Sequence, residues 1–143
     1  MHKAAVRDWM TPDPVTITVE TSLIHAYEVM QERTIRRLPV VDSAGALRGI
    51  ITRSDIQSLV PFGHSAEERA DALFALAGQT VVDHMTSWPV TVAPDEPISH
   101  AAQQMQTHKI SGVPVVEDGR PVGIITESDI FRFVASRWAA EEE

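Results

Sequence analysis

The chain is written twice, and this constrains its fold more than any other feature. Trp-Met-Thr-Pro-Asp-Pro-Val-Thr-Ile at 9–17 returns as His-Met-Thr-Ser-Trp-Pro-Val-Thr-Val at 84–92, so Met10 matches Met85 at an offset of 75. The offset holds through His25 and His100, Met30 and Met105, Ile35 and Ile110, and Pro39-Val40-Val41 against Pro114-Val115-Val116. One residue is then lost. Gly49-Ile50-Ile51-Thr52-Arg53-Ser54-Asp55-Ile56 returns as Gly123-Ile124-Ile125-Thr126-Glu127-Ser128-Asp129-Ile130 at an offset of 74. A long match with a single slip is a tandem duplication. A copy of about 50 to 60 residues buries only about 60% of its unfolded surface and is marginal alone, so the two are expected to share one core.

Each copy reads as strand, helix, strand, strand, helix. Residues 15–19 are β-branched and alternating, which predicts a strand; Thr21-Ser22 then offers a cap before Leu23, Ala26, Tyr27 and Met30 at helical spacing. Residues 38–41 and 47–51 predict two strands joined through the turn Asp42-Ser43-Ala44-Gly45, which the second copy shortens to Glu117-Asp118-Gly119. A closing helix is expected from near Thr52, with Ile56, Leu59 and Val60 inward, and from near Thr126, with Ile130, Phe133 and Val134 inward. Between the copies, Pro61-Phe62-Gly63-His64 breaks the chain, and Ser65 caps a connecting helix carrying Leu73, Phe74 and Ala77 that ends at Gly78. The fold class is therefore α/β in the α+β sense. The organisation is 1–60 for the first repeat, 61–79 for the connecting helix, 80–138 for the second repeat and 139–143 for an acidic, solvated tail.

Composition closes off several chemistries. With no cysteine among 143 residues, disulfides, thiolate nucleophiles and cysteine metal sites are excluded. The formal charge of -8 repels polyanions, which argues against nonspecific binding to nucleic acid or an anionic membrane. No signal-peptide run opens the sequence and no stretch reaches a membrane span, so the expected location is the cytoplasm. The histidines lack zinc-ligand spacing, no Ser-His-Asp order repeats, and Ser54 and Ser128 lack a nucleophile elbow, so neither a metal site nor an enzyme is expected. Met30 and Met105 read as core filler.

The chemistry-bearing segment is the repeated Gly-Ile-Ile-Thr-x-Ser-Asp-Ile, where an apolar strand runs straight into a helix. Thr followed three residues later by Asp is a capping-box-like pattern. The same geometry suits a ligand, because helix N-terminal N–H groups and a Thr hydroxyl attract phosphate while a carboxylate accepts hydrogen bonds from a ribose diol. The two readings are compatible.

Two copies of Met-Thr-x-x-Pro-Val-Thr, a helix, x-x-Pro-Val-Val and Gly-Ile-Ile-Thr-x-Ser-Asp resemble a tandem pair of CBS domains, the Bateman module, from about Val6 to Val134. The resemblance implies a regulatory fold with pseudo-twofold symmetry and two clefts for adenosine-containing ligands such as AMP, ADP, ATP or S-adenosylmethionine. It implies that Asp55 with Thr52, and Asp129 with Thr126, meet ribose and phosphate. Adenine would be bracketed by the opposite copy: Val15, Ile35 and Arg36 for the Asp129 cleft, and Val90, Ile110 and Ser111 for the Asp55 cleft. It also implies pairing of two modules into a homodimer.

Ile35-Arg36-Arg37 in the first copy stands against Ile110-Ser111-Gly112 in the second. Cross-pairing would put the two arginines beside Asp129, favouring that cleft for phosphate, unless the pair is an ordinary surface feature. Glu127 beside one cleft and Arg53 beside the other work in the opposite sense. Trp88 is a candidate wall for the Asp55 cleft. The function expected is a nucleotide sensor that changes affinity for an unidentified protein partner, in the manner of energy sensing. The competing reading is a protein docking module with vestigial clefts, using the connecting and C-terminal helices.

Overall fold

The computed structural model describes residues 4–59 and 65–142; Val60, the Pro61-Phe62-Gly63-His64 break and Glu143 lie outside them. In chain order the elements are α1 (Val6–Trp9), β1 (Thr11–Pro12), β2 (Ile17–Thr18), α2 (Leu23–Arg33), β3 (Arg37–Val41), β4 (Leu47–Thr52), α3 (Arg53–Gln57) and α4 (Ala66–Ala77). A 3-10 turn (Val81–Asp83) follows, then β5 (Thr86–Ser87), α5 (Ile98–His108), β6 (Gly112–Glu117), β7 (Arg120–Thr126) and α6 (Glu127–Glu142).

The chain divides into two compact units that cut across the sequence repeats. One is Val15–Pro89; the other joins the chain up to Pro14 to Val90 and everything after it. Each unit thus holds one copy's helices and hairpin together with the leading segment of the other copy. Instead of the one shared core expected from copy size, the buried apolar residues form two clusters, one per unit. The borrowed segments explain why: Val81, together with Leu76 of the connecting helix, completes the first cluster, and Val6 completes the second.

In the Val15–Pro89 unit the sheet order is β2-β3-β4-β5, with β2 parallel to β3 and the other pairs antiparallel. Helix α2 starts where Ser22 Oγ accepts the amide of His25 at 3.2 Å, satisfying a first-turn donor. It buries Leu23, Ala26 and Met30 against Leu38, Val40, Ile51 and Ile56. Each such large side chain contributes about 1.5–3 kcal/mol when buried.

In the other unit the sheet order is β1-β7-β6, and α5 buries Ile98, Ala101 and Met105 against Val113, Val115 and Ile125. The strand expected at 15–19 shortens to Ile17–Thr18, and its counterpart is the single parallel bridge of Val92 to Val115. The added edge strands β1 and β5 lie against Gly123 and Gly49. A Cβ on Gly49 would stand 2.8 Å from Thr86 O, and one on Gly123 would stand 2.9 Å from Thr11 O and collide with Met10 Sδ. Only glycine admits the edge strand this closely.

The closing helices differ from expectation in length. Helix α3 ends at Gln57, leaving Leu59 37% exposed beyond it, whereas α6 runs through the acidic tail to Glu142 with Ile130, Phe133 and Val134 half-buried. The tail residues described are helical and exposed. No helix among the described residues is long and apolar enough to cross a membrane.

Candidate ligand-binding sites

In both copies a buried antiparallel hairpin delivers Thr to the end of its second strand and Asp to the first turn of the following helix. The geometry repeats closely. Thr52 N donates to Asp55 Oδ2 at 2.9 Å and Asp55 N donates to Thr52 Oγ1 at 3.1 Å, a reciprocal capping box. Thr126 N donates to Asp129 Oδ2 at 2.8 Å, but here the Thr126 hydroxyl donates to that same oxygen, at 3.2 Å. A reciprocal box is therefore formed in the first copy, while the second keeps its half from the Thr amide to the Asp carboxylate.

The carboxylates differ in what else they hold. An ionised carboxylate offers about four acceptor positions. Asp55 fills one of them with Thr52 N, and its Oδ1 takes no hydrogen bond among the described residues. Asp129 is buried, its Oδ2 holds both Thr126 groups, and its Oδ1 accepts Arg132 Nη2 at 2.9 Å. The same Nη2 donates to Trp9 O at 3.1 Å, and the guanidinium lies 5.4 Å above the Trp9 ring. Arg132 stands outside the repeated motifs. The signal was present as an Asp-to-Arg spacing of three on a helix, against Ser58 at the matching position of the first copy.

The other residues expected at the sites fall as follows. Arg37 is the register partner of Thr52, and Arg36 O accepts Arg53 N at 2.7 Å, so three arginines stand at the Thr52 end of their own sheet. In the second copy Gly112 pairs with Thr126, and Ser111 O accepts Glu127 N at 2.9 Å. That end carries no arginine at the corresponding positions. Val15 and Ile35 pack half-buried on the first core cluster; Val90 and Ile110 do the same on the second. Trp88 lies at the opposite end of β4 from Thr52. Its N–H donates to Arg48 O at 3.0 Å, and its 72% exposed ring stacks with the Arg48 guanidinium, so it does not line the Asp55 end of its sheet. Strand geometry sets about 13 Å between positions 48 and 52.

His25 pairs with Glu28, His100 with Glu96, and His84 with Gln79. No group of three His, Asp or Glu suited to a metal occurs among the described residues.

Comparison with known proteins decides the family. The CBS domain profile matches residues 6–61 and 81–136. The chain belongs to the CBS domain family. Its fold is that of solved CBS pairs: it is similar to the CBS domain pair of protein MJ0100 in complex with 5'-methylthioadenosine and S-adenosyl-L-methionine, at 34% identity and a TM-score of 0.79 over 95% of this chain and 99% of that one. It is also similar to CBSX2 in complex with AMP, at 28% identity and a TM-score of 0.78 over 92% of this chain and 97% of that one. Among curated relatives it is 37% identical over 133 residues to the L-aspartate semialdehyde sulfurtransferase of Methanocaldococcus jannaschii. That match takes in 92% of this CBS chain but only 23% of the enzyme.

Proposed function

We propose that this CBS pair is a regulatory module that binds an adenosine-containing ligand of the AMP, ADP, ATP or S-adenosylmethionine class and changes its affinity for a protein partner in response. The observation that carries the reading is the Thr-x-x-Asp pair, formed at a strand-to-helix junction in both copies, with carboxylate acceptor positions left open. The adenosine compounds named with the MJ0100 and CBSX2 structures support the ligand class. In this reading Asp55 and Asp129 accept ribose hydroxyls, Thr52 and Thr126 meet phosphate, and Arg36, Arg37 and Ser111 supply polar contacts. Val15, Ile35, Val90 and Ile110 provide the apolar surroundings of adenine.

The module works by linkage in a cytoplasmic setting and performs no catalysis itself. A ligand shifts the equilibrium between two states only by its differential affinity for them. We also propose that the active form is a homodimer. A groove of about 240 Å³ between α5 and α6, lined by Ala102, Met105, Ile130 and Phe131 among others, supports this, with Phe131 70% exposed beside it. A partner-docking module with vestigial clefts is the second reading, favoured by Phe74 at 84% and Trp138 at 64% exposure on the connecting and C-terminal helices.

Thermal unfolding with AMP, ADP, ATP, S-adenosylmethionine and NAD separates them. A ligand at about 100 times its Kd stabilises by about 2.7 kcal/mol, which moves the midpoint several degrees. The nucleotide reading predicts a shift that is reduced in Asp129→Ala. No shift with any of the five, in protein free of co-purified nucleotide, favours the docking module.

A further inference from the structure

The two carboxylates that carry the same motif are unequally available, and the difference runs to the N-terminal segment. Three hydrogen bonds reach Asp129, from Thr126 N, Thr126 Oγ1 and Arg132 Nη2. Of about four acceptor positions, one is left. A ribose diol presents two hydroxyls, so a two-point grip on Asp129 must displace a donor. The amide of Thr126 is fixed by its strand and helix, and the hydroxyl of Thr126 already shares the crowded Oδ2. Arg132 is the donor with somewhere to go: its side chain is 61% exposed and solvent accepts the guanidinium. Asp55 presents no such conflict, because Ser58 stands where Arg132 would be and donates to Asp55 O at 2.8 Å.

Releasing Arg132 has a local consequence. Its Nη2 also holds Trp9 O, and its guanidinium stacks on the Trp9 ring, which meets Phe133 edge to face at 5.4 Å between centroids. Trp9 ends α1, a helix of four residues that is also held by main-chain bonds from Val6 N to Glu96 O and Arg7 N to Pro94 O, each 2.9 Å, and by the burial of Val6 in the second core cluster. We propose that Arg132 is a positioning residue that latches α1 to the Asp129 carboxylate, so that ribose binding at Asp129 displaces Arg132 and loosens α1. The inference rests on the reading of Asp129 as a ribose acceptor. Linkage requires the converse as well: whatever loosens α1 from Arg132 strengthens ligand binding at Asp129.

The test uses the full chain carrying Asp55→Ala, which leaves Asp129 as the site under study, with AMP and S-adenosylmethionine as probes. Arg132→Ser installs the side chain of the matching first-copy position. The latch predicts binding about fivefold or more tighter in Arg132→Ser, a gain that a merely structural arginine would not produce. It predicts an intermediate gain in Arg132→Lys, which keeps the charge without the bridging fork. Hydrogen exchange in the unsubstituted protein supplies a measurement independent of the variants: the amides of Val6, Arg7 and Met10 are expected to exchange faster with saturating probe. Binding that is unchanged or weaker in Arg132→Ser, or α1 exchange that slows or stays constant on ligand binding, overturns the latch and leaves the nucleotide reading standing. Binding of neither probe to the unsubstituted protein overturns the nucleotide reading and the latch with it.

Discussion

Asp55 and Asp129 answer to the same spacing, yet the residue three positions later differs: Arg132 bonds the Asp129 carboxylate, whereas Ser58 bonds the main-chain oxygen of Asp55. Thr-x-x-Asp is legible in the sequence because the bond from the Thr amide to the Asp carboxylate is local and repeats in two copies. The bridge from Arg132 to Trp9 is not, because its partner lies 123 residues away. Electrostatics at a single residue also yields a prediction at the β3–β4 turn. The N–H of Ala46 lowers the Asp42 carboxyl below the ordinary carboxylate value of about 3.9, against a smaller opposing effect of burial, and Arg48 and the Ala44 N–H lower it further. A pKa depressed in the folded state gives stability that is present above the unfolded value and lost as pH falls through the folded one. Asp42→Asn is expected to be less stable than the parent at neutral pH, with the difference closing below about pH 4. Denaturant midpoints across that range check it, and a difference independent of pH contradicts the assignment.

Among the elements, the long periodic ones follow directly from the sequence and the shortest do not. Helices α2 and α5 carry three buried apolar residues each at helical spacing, and the two hairpins are marked by β-branched runs around a turn. Strands β1 and β5 are two residues long with both side chains exposed, so no alternation announces them. Their trace in the sequence is indirect: the glycine that opens each repeated Gly-Ile-Ile is the residue they cover. Gly123→Ala must therefore push back the Thr11 carbonyl and Met10, with a cost of about 1–3 kcal/mol. Urea unfolding of Gly49→Ala and Gly123→Ala measures it. Full stability in both variants would mean that the edge strands yield without loss.

The whole molecule is organised by exchange of leading segments between its copies. Duplication was plain in the sequence, but the exchange was not, because position along the chain does not reveal which sheet a two-residue strand joins. Two clusters follow instead of one common core, each holding a buried side chain from the other copy's leader, Val81 in the first and Val6 in the second. Self-association belongs to this scale. Phe131→Glu places a charge on the exposed aromatic beside the α5–α6 groove, and sedimentation velocity is expected to report dimer for the parent and monomer for the variant. Equal mass for both would remove this face from the interface.

The role proposed for the paired Thr-Asp junctions is to hold an adenosine ligand. Titration calorimetry of AMP, and in parallel S-adenosylmethionine, into the parent and into Asp55→Ala/Asp129→Ala tests it most directly. Saturable binding by the parent is expected, with a loss of at least about tenfold in affinity in the double variant, the scale of a hydrogen bond to a charged group at about 1.5–3 kcal/mol. Equal affinity in both proteins, with the variant shown to be folded, or no binding of either compound to the parent, would contradict it.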